Sequence, residues 1–221
     1  MVQECLRILE SGDPKELFKI IPGIGVLRDP RFCGPLTALL SDKNAKRREF
    51  AACAMGAMGN EEFLEPLERA FLDSQKSRAP GSEAFQLAII EAIGSIGQDA
   101  AAGFFLGFLK AASEKPAGRL QRCIVESLGE IAQQGGARCL DALIGLTSHG
   151  DPELRAQAIS ELPIAYWHRP NEIAQSTIAQ LCRLAKDRHP AVAEAALAAL
   201  QSLADVGCHQ AERWFSTGGQ S

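Results

Sequence analysis

Phe85-Gln86-Leu87-Ala88-Ile89-Ile90-Glu91-Ala92-Ile93-Gly94-Ser95-Ile96-Gly97 decides how this chain folds. Phe85, Ala88, Ile89, Ala92, Ile93 and Ile96 recur at steps of three and four, the period of an amphipathic helix. The stretch closes on a cadence: typically a small residue, a large aliphatic, a glycine-like position and another apolar residue two places on. The same cadence ends Ala54-Met55-Gly56-Ala57-Met58, Ser127-Leu128-Gly129-Glu130-Ile131, Glu161-Leu162-Pro163-Ile164-Ala165 and Ala199-Leu200-Gln201-Ser202-Leu203. Its third positions are Gly56, Gly94, Gly129, Pro163 and Gln201, spaced by 38, 35, 34 and 38 residues. A period of that size marks a stacked array of supersecondary units.

The other units repeat the stripe. Leu120, Ile124, Ser127, Leu128 and Ile131 share one face, as do Leu154, Ala158, Ile159 and Leu162, and Val192, Ala195, Ala196, Ala199, Leu200 and Leu203. The small residue near the middle of each lets a neighbouring backbone approach closely. A first helix precedes each of these second helices, and the pattern places them at about Phe32–Leu40, Glu61–Leu72, Ala100–Ala112, Ala137–Leu146 and Glu172–Ala185. Leu64, Leu67, Phe71 and Leu72 form one of their stripes, and Ile173, Ile178, Leu181, Leu184 and Ala185 another. No run alternates with period two, so strands have no support.

Helix ends are marked as well. Asp151-Pro152 and His189-Pro190 put proline where a first turn tolerates it, and Asp151 is placed to cap the exposed amides. Asp42 and Asp187 stand equally far ahead of their cadences. Gly59, Gly97 and Gly150 are expected as left-handed stops or turns. Residues 1–30 read as a degenerate capping repeat: a helix over Val2–Leu9, then Asp13-Pro14 leading to Ile24-Gly25-Val26-Leu27, with Pro22 and Gly23 expected to break its helix. Residues 31–206 form the array. Residues 207–221 form a C-terminal cap, with Trp214 and Phe215 as a hydrophobic lid and Ser216–Ser221 as a mobile tail. Asp73–Ser82 and Ala112–Gly118 read as long loops.

Bulk composition narrows the function. Apolar residues make up 46% of the 221 and aromatics only 6%, so alanine, leucine and isoleucine are expected to supply the core. Net charge is −4, from 23 basic and 27 acidic residues, and both halves of the chain share that balance; nucleic acid is therefore an unfavoured partner. Seven cysteines, an odd number without a Cys-x-x-Cys pair, point to a reducing compartment and not to a disulfide scaffold. The first residues carry Glu4 and no apolar signal core. The most apolar run, Ala100 to Leu109, stops at Lys110, short of the roughly 20 residues that span a bilayer. A cytoplasmic protein with no membrane insertion is expected.

Asp151-Pro152-Glu153-Leu154-Arg155-Ala156-Gln157-Ala158 resembles the opening of a HEAT repeat's second helix, Asp-Pro-x-x-(Val/Leu)-Arg-x-x-Ala. Ile93-Gly94-Ser95-Ile96-Gly97 and Met55-Gly56-Ala57-Met58-Gly59 are similar to its close, Leu-Gly-x-Ile-Gly. The variety most resembled is the short HEAT-like repeat of phycobilisome lyase subunits, over roughly residues 30 to 205. Arg48 and Arg155 keep the motif arginine, whereas Gln86, Gln121 and Ala193 stand in its place. The resemblance implies an all-α chain, a right-handed α-solenoid of about five to six helical hairpins, with the second helices lining a concave face.

Catalytic readings find little purchase. Some HEAT-like enzymes resemble a di-iron hydroxylase with His-Glu ligand pairs, but here the pairs are His149-Gly150, His168-Arg169, His189-Pro190 and His209-Gln210. No His-x-x-x-His spacing exists and no metal or other cofactor is expected. Cys208-His209 are adjacent, but neighbours in sequence point apart on a helix, so the pair reads as a free surface thiol beside an exposed imidazole. Gly23-Ile24-Gly25 lacks the strand and third glycine of a phosphate loop.

Binding surfaces remain. Projected away from the core stripes, the second helices present Lys46, Glu49 and Cys53, then Glu91 and Ser95, then Arg119, Arg122, Glu126 and Glu130, then Glu153 and Ser160, then Glu194. Mixed signs suit a protein or peptide partner better than a polyanion, and the bland reading is a solvated face. Lys43, Lys46, Arg47 and Arg48 form the densest basic cluster, with Arg48 placed to bond Asp42 or a neighbouring turn. Tyr166-Trp167-His168-Arg169-Pro170 holds the single tyrosine and one of two tryptophans. Tyr166, Trp167 and Arg169 are of the types enriched at binding hot spots, while the reading preferred for Trp167 is a plug in the gap where Pro163 bends its helix. The expectation is a non-enzymatic scaffold or adaptor holding a protein partner. The alternatives are a bilin lyase subunit or chaperone of the phycobilisome lyase type and, less favoured, a nucleic-acid-binding HEAT-like protein.

Overall fold

The computed structural model describes residues 1–76, 81–97, 99–111 and 118–217. Among them there is no strand. The chain divides into two compact units, Met1–Ala101 and Ala102–Ser221, and the division falls at the start of a helix. The first unit contains α1 (Val2–Ser11), α2 (Pro14–Leu17), α3 (Ile21–Leu27), α4 (Cys33–Leu39), α5 (Ala45–Met58), α6 (Leu64–Gln75) and α7 (Ser82–Ile96). In the second come α8 (Ala101–Ala111), α9 (Arg119–Gln133), α10 (Ala137–Leu146), α11 (Pro152–Ala165), α12 (Gln175–Leu184), α13 (Pro190–Asp205) and α14 (His209–Ser216).

Long helices pack on long helices. In the first unit α3 lies on α5 and α5 on α7, with α4 against α5 and α6 against α7. In the second, α9 lies on α11 and α11 on α13; α10 touches both α9 and α11, α12 packs on α13, and α14 closes against α12 and α13. The cadence glycines allow these approaches. A Cβ on Gly56 of α5 would lie 2.8 Å from the Cα of Ala92 on α7, a spacing no side chain permits.

Local signals set the helix starts. Asp151 accepts from the amides of Glu153 (2.8 Å) and Leu154 (3.2 Å), capping α11 as its position predicts. Asp42 and Asp187 act one step earlier, each accepting the amide two residues on, Asn44 and His189, at 2.8 Å. Asn44 then caps α5 through the amide of Lys46. The motif arginines also serve these turns. Arg48 Nη1 donates to the carbonyls of Asp42 (2.8 Å) and Lys43 (3.2 Å), and Arg155 Nη1 to those of His149 (2.8 Å) and Gly150 (3.0 Å). Where glutamine replaces arginine the tether persists in another form: Gln86 donates to Ser74 Oγ, and Gln121 accepts from the amide of Gly118.

Several expectations need correction. Phenylalanine, not aliphatics alone, fills the first unit: Phe32, Phe50, Phe63 and Phe71 are fully buried, each contributing about 1.5–3 kcal/mol of apolar transfer energy. The helix that starts at Pro14 gives way after Leu17 to a 3-10 turn, and Pro22 sits in the first turn of α3, where its missing N–H costs nothing; Gly23 continues α3 and breaks nothing. Gly59 and Gly97 adopt φ of 65° and 75° as left-handed stops, and Gly150, without a positive φ, lies in the turn between α10 and α11 as expected. Leu72 leaves its predicted stripe and is 54% exposed. The loop expected from Asp73 is still helix through Gln75. Ser216 ends α14 instead of starting a tail, and Trp214 and Phe215, edge to face at 4.8 Å, are only half-buried. The remainder of that tail, residues 218–221, and residues 112–117 of the second loop lie outside the described residues.

Candidate functional site

Each unit presents its own solvent-facing ridge on the long helices. On the first, Lys46 Nζ pairs with Glu49 Oε2 at 2.8 Å along α5. Glu49 and Glu91 converge electrostatically on Cys53, which joins α5 to α7 on this face. Burial, then the Glu49 and Glu91 carboxylates, pushes the Cys53 thiol up to about 11. The thiolate form is therefore scarce at neutral pH, which removes the condition for nucleophilic chemistry.

Of the basic cluster, Lys43 stands exposed ahead of α5, and the two arginines on the helix are engaged inside their own unit. Arg47 pairs with Asp42 at 2.9 Å and folds over Gly12 at the end of α1, where a Cβ would collide with its guanidinium. Arg48 is anchored to the turn carbonyls, and its guanidinium lies 5.3 Å from the centre of the Phe85 ring.

On the second unit the ridge is cross-linked. Arg122 of α9 meets Glu153 of α11 at 3.2 Å, and Gln157 of α11 reaches Glu126 of α9 at 3.5 Å. Gln157 also donates to Glu161 at 2.9 Å. Arg119 stands exposed at the head of α9 without an ion pair among the described residues, and Glu130, Ser160 and Glu194 are exposed on α9, α11 and α13.

Glu161 was not foreseen as special. It is a carboxylic acid only 8% exposed, seated against Gly129. Burial, with lesser repulsion from Glu126 and Glu130, pushes its carboxyl up to about 7 against the opposing hydrogen bond from Gln157. A glutamate occupying the small-residue place of a cadence, opposite a glycine, was the available signal.

The segment after α11 separates the two roles proposed for it. Tyr166 turns inward, 4% exposed, and burial raises its phenol above the usual value. Trp167 turns outward, 55% exposed, beside Ile164 at 42%. Arg169 fastens the segment by donating from Nη2 to the Ala132 carbonyl at the end of α9 (2.9 Å). Tyr166, not Trp167, fills the interior where Pro163 interrupts the α11 hydrogen-bond ladder.

Cys208, expected at the surface, is fully buried at the start of α14, whereas His209 is exposed and lies 3.4 Å from Glu212. Among the described residues no three His, Cys, Asp or Glu side chains group as metal ligands would. None of the described helices is by itself long and apolar enough to cross a membrane.

Comparison with known proteins leaves the family open. No family model matches the chain, and no curated protein matches it. Among solved structures, the crystal structure of an engineered protein from the Northeast Structural Genomics Consortium is similar, at 17% identity and a TM-score of 0.51. That likeness spans 93% of this chain and 97% of the engineered one, and it concerns fold alone.

Proposed function

We propose that the chain is an α-solenoid of HEAT-like hairpins and works without catalysis, as a scaffold or adaptor that holds a protein or peptide partner. The contact face is the ridge of second helices, and in the second unit it centres on Ile164 and Trp167. The carrying observation is that exposed apolar pair, at the far end of the helix whose start carries Glu153 and Gln157 of the polar ridge. An exposed tryptophan rimmed by polar groups is the composition of a protein-binding hot spot. Arg169 and Tyr166 support it from beneath, so little ordering would be needed on binding.

The test compares capture from a native lysate by the wild-type chain and by Trp167→Ala, with melting of both followed by circular dichroism. A partner retained by wild type and lost by the variant at unchanged melting temperature supports the reading. Identical capture profiles would remove this face from consideration.

A further inference from the structure

The hollow where the α10–α11 turn meets α12 has a volume of about 380 Å³ and is lined by Ser148, His149, Arg155, Gln180, Arg183 and Asp187. Its hydrogen-bond balance is one-sided. Gln180 Nε2 donates to Thr147 Oγ1 (2.6 Å) and Ser148 Oγ (2.8 Å). Thr147 passes its own proton to the Ile144 carbonyl, but the Ser148 hydroxyl, having accepted, keeps a proton to give. His149 Nδ1 accepts from the Asp151 amide at 3.1 Å, so Nε2 is the ring nitrogen left to donate.

The one acid lining the hollow is engaged. Asp187 Oδ1 accepts from the His189 amide at 2.8 Å, and Oδ2 faces Arg155 Nη2 at 3.7 Å. Arg183 is exposed on α12, and its guanidinium makes no ion pair or hydrogen bond among the described residues. Two guanidinium groups, a hydroxyl and an imidazole N–H therefore border one hollow with a single, already satisfied carboxylate.

The first unit supplies a comparison built on the same plan. There the turn after α4, Arg48 and the end of α6 enclose a hollow of about 290 Å³. Arg48 again binds the turn carbonyls, as Arg155 does. The lining differs in charge: Asp42 and Asp73 stand there with Arg48, whose face is taken by Phe85. The backbone plan is common to the two junctions; the surplus of donors belongs to the second.

We propose that the α10–α12 hollow is a binding site for an oxyanion, either a phosphate group or a carboxylate, held by Arg183 with Ser148 and His149. The site shares no residue with the α9–α11 ridge and does not depend on the adaptor reading. Recognition by a guanidinium with neighbouring hydroxyl and imidazole donors is the ordinary chemistry of such anions.

The test is an NMR titration of the full chain with inorganic phosphate, and separately with N-acetylglutamate amide, at constant ionic strength so that screening does not change. Saturable shifts are expected at Ser148, His149 and Arg183, and not around Asp42 and Asp73. Arg183→Ala, which removes an exposed and unpaired side chain, is expected to weaken the affinity about tenfold, the loss of one charge-assisted bond. The tighter of the two probes names the source of the anion. Shifts that stay linear to about 20 mM, well past a millimolar dissociation constant, or that persist unchanged in Arg183→Ala, overturn the proposal.

Discussion

Gly129 on α9 lies where any side chain would strike Glu161 on α11: a Cβ there would sit 2.6 Å from the carboxylate Oε2 and 3.0 Å from the Glu161 Cβ. The first unit repeats the register with Gly56 and Ala92. In both pairs the third place of one cadence faces the first place of the next. The recurrence visible in the chain is thus the footprint of one helix packing on another.

Gly56→Ala is expected to destabilise the protein by about 1–3 kcal/mol despite the better helix propensity of alanine, because the new methyl meets backbone and not a flexible side chain. Gly107, exposed within α8, meets nothing within 4 Å, and Gly107→Ala should stabilise by about 0.5–1 kcal/mol. Urea unfolding of both variants checks the contrast. Equal shifts of one sign would contradict the packing account.

Glu161 makes stability depend on pH. Its carboxyl is pushed up from 4.5 to about 7 in the folded chain, so the folded state binds a proton that the unfolded state releases earlier. Stability is then full below about pH 4.5 and falls as pH rises through about 7. Glu161→Gln should match wild type at about pH 4 and exceed it by about 1–2 kcal/mol at pH 8, allowing for partial solvent screening. Parallel stability curves across that window would refute a buried acid here.

Arg155 joins the α10–α11 turn to α11 through two carbonyl bonds, with Asp187 at 3.7 Å on its other arm. Arg155→Ala should cost about 1–2 kcal/mol, as a half-buried and an exposed carbonyl lose a charged donor. Lysine is expected to recover less than half, since one ammonium does not reproduce the planar fork. Thermal unfolding of the three proteins decides; full rescue by lysine would mean that charge alone matters.

Tyr166 and Trp167 should respond oppositely to truncation. Tyr166→Ala opens a cavity in the second unit and should cost about 3–5 kcal/mol, whereas Trp167→Ala should stay within about 0.5 kcal/mol of wild type. Differential scanning calorimetry separates the two. A large loss in Trp167→Ala would restore the plug that its position after Pro163 invites.

Much of the fold was legible. α10 occupies the span its pattern predicts, Ala137–Leu146, and the Asp151 cap and the Arg48 tether sit where the motif places them. Such features are decided within a few residues, by period and by which side chain can reach a free amide. The candidate site was harder. Tyr166 and Trp167 are adjacent and chemically similar, and a rotation of one residue decides which is buried; no periodic signal survives the end of α11 at Ala165. Cys208 looked exposed for the same reason, since the burial of a helix cap depends on the helix it docks against.

By itself, the sequence determined an all-helical chain of paired helices, with their caps and the glycines that let long helices touch, because these follow from short-range periodicity and hydrogen-bond reach. Only the tertiary structure decided that Glu161 is buried, that Trp167 faces solvent and that Arg183 joins Ser148 and His149 around one hollow. The burial of Glu161 against Gly129 and the closing of that hollow depend on contacts between residues about 30 positions apart, which packing sets and no local pattern encodes.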